Sequence, residues 1–271
     1  MNTRTTPKSF LAVGLVLLSA VLSFAVASAA ASPQSLKDPA ALRTLENAKA
    51  KLRAGVNGWN PALFSEAKDL FLSCLMQAGP DNAYAHYWVA LADFRLASYA
   101  IVSGKNAEGE TAVAEGQKYL ERAMALDPEF GEAEALYGYL LGMELAFHPD
   151  RAMTLGMKSM EHMNRAMTKE PANPRVHFLY GFYQFYVPEQ YGGGPDSALP
   201  LLEKAASLYE KENVTDPLKP AWGWEETLAA VGLAYKQKGD AAKAFEWLKK
   251  ALAVNPDYGR AKAELAALEK K

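Results

Sequence analysis

The chain has one cysteine, Cys74, in 271 residues, so no internal disulfide can form and packing alone must hold the fold. Cys74 lies in the apolar run LFLSCLM at 70–76, where a small buried hydrophobe is expected rather than a nucleophile. Histidine is scarce as well. His86, His148, His162 and His177 form no His-x-x-x-His or His-Glu-x-x-His pattern, so no metal site is expected. Glu144 and His148 share a helical face near Asp150, but Pro149 ends that helix and a cap or ion pair is the expected role. There is no Gly-x-Ser-x-Gly elbow. Gly192-Gly193-Gly194 lacks the Gly-Lys-Ser/Thr ending of a phosphate loop, and Asp196 behind it would repel phosphate. Loop geometry is the better account of those glycines. No catalytic residue and no cofactor is therefore expected, and the chain is not read as an enzyme. Alternation with period two is nearly absent, which argues against strands. An excess of positive charge is missing too: 29 cations stand against 31 acids. Nucleic acid is not the expected partner.

What is present begins with an address. Arg4 and Lys8 precede the apolar stretch LAVGLVLLSAVLSFAVA and then the small residues Ser28-Ala29-Ala30-Ala31, the order of a secretory signal peptide over residues 1–31. Ala25-Val26-Ala27 and Ala27-Ser28-Ala29 both offer cleavage sites, and a cut near Ala29 or Ala31 is favoured. Loss of Arg4 and Lys8 takes the 29 cations to 27, and the net charge from −2 to −4. The bacterial periplasm is the expected destination, with no stable membrane span after cleavage. An uncleaved N-terminal anchor is the alternative, since roughly 20 apolar residues can span a bilayer.

Residues 225–258 read EETLAAVGLAYKQKGDAAKAFEWLKKALAVNPDY. Gly232 and Ala244 are small enough for two antiparallel helices to cross closely, with Tyr235 and Leu248 filling the space beside them. Gly239-Asp240 makes the turn, and Pro256 stops the second helix. A single pair cannot bury both of its apolar faces, so stacked neighbours are required. Weaker copies precede it, marked by Tyr180-Gly181 and Tyr137-Gly138, and by Trp88 with Leu91-Ala92. Asp38-Pro39, Asn60-Pro61 and Asn173-Pro174 each place a capping residue before a proline at the first helical position. The expected fold is all-α: one domain over 32–271, with helix pairs at 36–79, 83–128, 131–171, 173–213 and 225–258 and a capping helix at 259–271. Extra residues at 103–114, 147–151 and 188–194 separate first from second helices; they either line a working edge or merely cap and lengthen helices.

The spacing of Gly232, Tyr235, Gly239, Ala244, Leu248, Ala251 and Pro256 resembles the tetratricopeptide (TPR) repeat. The resemblance implies a right-handed α-solenoid whose first helices line a concave groove that binds peptides or helices. The landmarks Asn173-Pro174-Arg175, Pro188 to Gly194, and Pro220-Ala221-Trp222-Gly223 are similar to exported bacterial TPR-like proteins. The Pro-x-x-x-Gly-Gly stretch with ALPLLEKA at 198–205 is similar to the T-component of TRAP transporters. In the family the groove positions are the second, fifth, ninth and twelfth of each repeat. Counting from Pro174 gives Arg175, Phe178, Phe182 and Phe185. Counting from Gly131 gives Glu132, Tyr139 and Gly142, and counting from Ala85 gives His86, Val89, Asp93 and Leu96. Such a surface suits an envelope protein or peptide. The alternative is a small apolar or carboxylate ligand, as in an accessory to a transport system, with Arg175 pairing the carboxylate. Core packing competes for each aromatic, because residues 177–186 are apolar all round.

Overall fold

Capping side chains start the helices that begin at Pro39, Pro61, Ala83, Pro174 and Ala241 of this computed structural model, which describes residues 38–270. The signal-peptide segment lies outside the described residues. Asp38 accepts from the Ala40 amide at 2.9 Å, Asn60 from Ala62 at 3.0 Å and Asn173 from Arg175 at 2.9 Å, each satisfying an amide that the first turn leaves free. Asn82 caps in the same way through the Ala85 amide at 2.9 Å. Proline follows at the first helical position after Asp38, Asn60 and Asn173.

Eleven helices and no strand occur among the described residues. They are α1 (Pro39–Gly58), α2 (Pro61–Ala78), α3 (Ala83–Val102), α4 (Asn106–Leu126), α5 (Gly131–Glu144), α6 (Ala152–Lys169), α7 (Pro174–Tyr186), α8 (Pro195–Tyr209), α9 (Trp224–Gln237), α10 (Ala241–Val254) and α11 (Gly259–Glu269). Consecutive helices pack as pairs, α1 on α2 through α9 on α10, and each pair stacks on the next to give an all-α solenoid. Small residues set the crossings. A Cβ on Gly232 would lie 2.9 Å from Leu248 Cγ and 3.1 Å from the Ala244 carbonyl oxygen, so only a bare Cα lets α9 and α10 come this close. No described helix is long and apolar enough to cross a membrane.

Two departures from a simple stack shape the inner face. The linker at 210–223 runs back across it instead of joining α8 to α9 directly. Trp88 Nε1 donates to the Leu218 carbonyl at 2.7 Å, and Trp222 Nε1 donates to the Tyr87 hydroxyl at 3.0 Å. Lys49 Nζ donates to the Pro217 carbonyl, and the Leu218 side chain is fully buried. The linker thus fills the inner face beside Tyr87 and Trp88. In addition, the last helices meet the first: Asn255 Nδ2 donates to Asn57 Oδ1 at 2.8 Å and to Glu225 Oε1 at 2.7 Å. A Cβ on Gly259 would run into the Asn57 carbonyl oxygen, so α11 abuts the end of α1 closely.

Candidate functional site: an aromatic cavity on the inner face

The inner face not covered by the linker forms a cavity of about 1840 Å³ between α1, α3, α5, α6, α7 and α11. Its floor is a ladder of nearly parallel rings. Phe182 lies 5.5 Å from Phe178 at 18° and 6.0 Å from Tyr139 at 10°. Helical geometry explains the ladder: Phe178 and Phe182 are four residues apart and share a face of α7, and Tyr139 holds the matching level of α5. Phe94 joins edge-on to Tyr139 at 5.4 Å. Phe178 and Tyr139 are buried yet border the cavity, while Phe182 is half-buried. Burial pushes the Tyr139 hydroxyl far above its ordinary value, so it stays neutral.

The rim is apolar and solvent-facing. Met153, Met157 and Met160 line one wall from α6, with Met153 81% and Met157 69% exposed. Tyr186 and Tyr191 line the cavity as well, Tyr191 at 75% exposure. Together these side chains leave an exposed apolar patch at the mouth of the cavity. The rim also takes in Trp59 and Ala146 from the connections after α1 and α5, and Pro188, Tyr191 and Gly192 from the 188–194 segment; residues 103–114 and 147–151 do not line the cavity. Within the 188–194 loop the glycine amides are used internally: Gly192 donates to the Glu189 carbonyl, Gly193 to Pro188 and Gly194 to Gln184. They are not free to cradle phosphate.

Four charged groups line the cavity: Arg95, Glu161, Glu226 and Arg260. Arg95 forms a two-pronged pair with Glu226 at 2.6 and 2.7 Å, its guanidinium 5.0 Å from the Trp222 ring centre. Burial raises the Glu226 pKa, and Arg95 pulls against that rise. Glu161 pairs with Arg165 at 2.5 Å. Arg260 has no carboxylate at ion-pair distance among the described residues; its Nη2 donates to the Tyr186 hydroxyl at 3.3 Å.

Of the residues expected from the sequence, Tyr139, Phe178 and Phe182 come together here. Phe185 does not line the cavity; it stacks behind Phe182 at 6.4 Å and 5°. Arg175 is placed elsewhere, only 4% exposed, with Nε on Glu132 at 2.6 Å and its two terminal nitrogens on Glu212 at 2.9 and 2.5 Å. Its donors are spent on tying α5, α7 and the start of the linker together, not on the 188–194 loop or on a ligand. His86 and Asp93 also lie outside the cavity. His86 Nε2 meets the Pro80 carbonyl at 2.8 Å, and Asp93 is fully buried against Lys68 at 2.6 Å, beside a separate cleft of about 570 Å³ between α2, α3 and α4.

For His86 and Asp93 the physical reason is register. His177 Nε2 meets the Pro171 carbonyl at 2.8 Å just as His86 meets Pro80, so α3 and α7 are equivalent when counting starts at Ala83 rather than Ala85. Two residues turn a helix by about 200°, which exchanges its faces. Counted from Ala83, the inner positions include Tyr87, which holds the linker, and Phe94, which lines the cavity. The parallel between Pro80-x-Asn82 and Pro171-x-Asn173 carries that register in the sequence itself. The methionines of α6 have no such signal, because methionine in an amphipathic helix reads as core. Glu144 forms an ion pair with Arg151 at 2.6 Å, and His148 Nε2 lies at hydrogen-bond distance, 2.9 Å, from Glu110 Oε1. Cys74 is buried.

Residues 225–258 match the tetratricopeptide repeat family model. With the stacked helix pairs around it, the chain is an all-α solenoid that carries one tetratricopeptide repeat. Among solved structures it is similar to the HusA haemophore from Porphyromonas gingivalis, at 25% identity and a TM-score of 0.58, over 73% of this chain and 92% of that one. It is also similar to a thermophilic TPR protein of Thermus thermophilus, at 17% identity and a TM-score of 0.56, over 83% of this chain and all of that one. A search of curated proteins finds no match.

Proposed function

We propose that this protein is an exported carrier that takes a flat, largely apolar ligand of tetrapyrrole type against the ring ladder of its inner cavity. The observation that carries the reading is the set of near-parallel rings, Tyr139, Phe182 and Phe178, bordering about 1840 Å³ of apolar-walled space. Parallel aromatic faces favour a planar π-system by offset stacking. The methionines opposite adapt to an uneven ligand edge because the side chain is unbranched and polarisable. The likeness to a haemophore over most of both chains supports the same ligand class. No histidine lines the cavity among the described residues, so recognition here rests on the macrocycle rather than on an imidazole–metal bond.

A peptide or amphipathic helix is the second reading. It is favoured by the general use of tetratricopeptide grooves and by a volume beyond the roughly 300–1,000 Å³ usual for small-molecule pockets. The linker at 210–223 weighs against it, because it occupies part of the inner face that a long peptide would follow. The leader at residues 1–31 makes the periplasm the proposed location, and N-terminal sequencing of the mature chain from a periplasmic extract tests it: a start near residue 30 or 32 supports export with cleavage, and an intact Met1 contradicts it. The ligand reading is tested by titrating the purified mature chain with metal-free protoporphyrin IX. Saturable binding of one molecule per chain is expected, with Kd at about 1 μM or below.

A further inference from the structure

We infer that Arg260 is the anchor for a carboxylate on the ligand, so that the cavity selects amphipathic acids over equally flat neutral molecules. This rests on the ligand reading above and adds the chemistry of the polar end. The cavity holds two acids and two arginines, but they are not matched pairwise within it. Arg95 is saturated by Glu226, with both prongs made at 2.6 and 2.7 Å. Glu161 is taken by Arg165, from outside the lining, at 2.5 Å. Glu264, one turn along α11, is taken by Lys236 at 2.5 Å. Among the described residues, Arg260 is therefore the charged group of the cavity with no carboxylate at ion-pair distance; Glu226 and Glu264 act on it only from farther away.

Its surroundings prepare it for that use. The guanidinium carbon lies 5.7 Å from the Phe182 ring centre, and one nitrogen donates to the Tyr186 hydroxyl at 3.3 Å. Those contacts hold the head group beside the ladder and leave its other donors open. A planar guanidinium presents paired N–H groups that match a carboxylate. A ligand body stacked on Phe182 thus brings a peripheral acid within reach of Arg260, and its charge is neutralised where the rim is otherwise apolar. Phe182 and Arg260 come from helices far apart in sequence, α7 and α11, so only the closed solenoid assembles both halves of the site.

The test compares protoporphyrin IX with its dimethyl ester, identical in ring and lacking both free acids, on the wild-type mature chain, Arg260→Gln and Arg260→Lys. Arg260 is exposed, so both variants are expected to keep the wild-type melting curve. The wild type is expected to bind the diacid about tenfold more tightly than the diester, the effect of one charge-assisted hydrogen-bonded pair. Arg260→Gln should bring the two ligands within about twofold, and Arg260→Lys should keep part of the preference. Equal binding of acid and ester by the wild type, or an undiminished preference in Arg260→Gln, overturns the anchor while leaving the cavity reading standing. Binding of neither ligand overturns the cavity reading and the anchor with it.

Discussion

Glu134 and Glu170, in the first turn of α5 and at the end of α6, should move stability in opposite directions with pH. Burial alone would raise the Glu134 pKa, but hydrogen bonds from His162 at 2.6 Å, Lys169 at 2.5 Å and Arg165 at 2.8 Å outweigh it and hold the group at about 2 instead of 4.5. The unfolded chain takes up a proton there before the native chain does, so this stability is full above pH 4.5 and is lost as the pH falls towards 2. Glu170 is pushed up to about 7, first by burial and then by the neighbouring Glu132 carboxylate. The native chain there keeps a proton that the unfolded chain has released, so stability declines between pH 4.5 and 7. Urea midpoints measured from acid to neutral pH should therefore peak at about pH 5, between the two limbs; Glu134→Gln should flatten the acid limb and Glu170→Gln the neutral one. A neutral limb unchanged in Glu170→Gln would contradict the assignment. At this scale the sequence was only partly legible. Tyr139, Phe178 and Phe182 could be found by counting along a repeat, but Arg175, Glu132 and Glu212 meet through tertiary packing that no local spacing records.

The element with the largest effect on the site is the irregular linker between α8 and α9. Its backbone polar groups are satisfied by side chains from α1 and α3, notably Lys49 and Trp88, and Leu218 acts as its buried plug. Leu218→Ala leaves a void at a fully buried position, with an expected cost of about 2–5 kcal/mol in chemical denaturation. A cost under about 0.5 kcal/mol, typical of an exposed surface site, would show that the linker does not pack as described. The all-α class, in contrast, was legible in the near absence of period-two alternation. Asn and Asp caps with following prolines, and the small residues at Gly232 and Ala244, dictate the pairs and their crossing by local chemistry. Nothing local announced the linker's return across the inner face, because Trp88 and Leu218 are 130 residues apart.

For the whole molecule, the solenoid class followed from one regular repeat, since an isolated pair cannot bury both apolar faces. The meeting of the last helices with α1, through Asn255 at the end of α10 and Gly259 at the start of α11 against Asn57, did not, and it is this closure that turns a groove into a cavity with α11 as a wall. A ligand is expected to require the ring ladder that Phe178 and Phe182 of α7 form with Tyr139. The most direct measurement is the titration of metal-free protoporphyrin IX into the wild-type chain and into Phe182→Glu, with Met157→Glu at an exposed rim position as a second variant and circular dichroism confirming that both remain folded. One site per chain in the wild type, weakened about tenfold or more by either carboxylate placed against the ligand, is the predicted result. Absence of saturable binding by the wild type, or the same affinity in both folded variants, would contradict it.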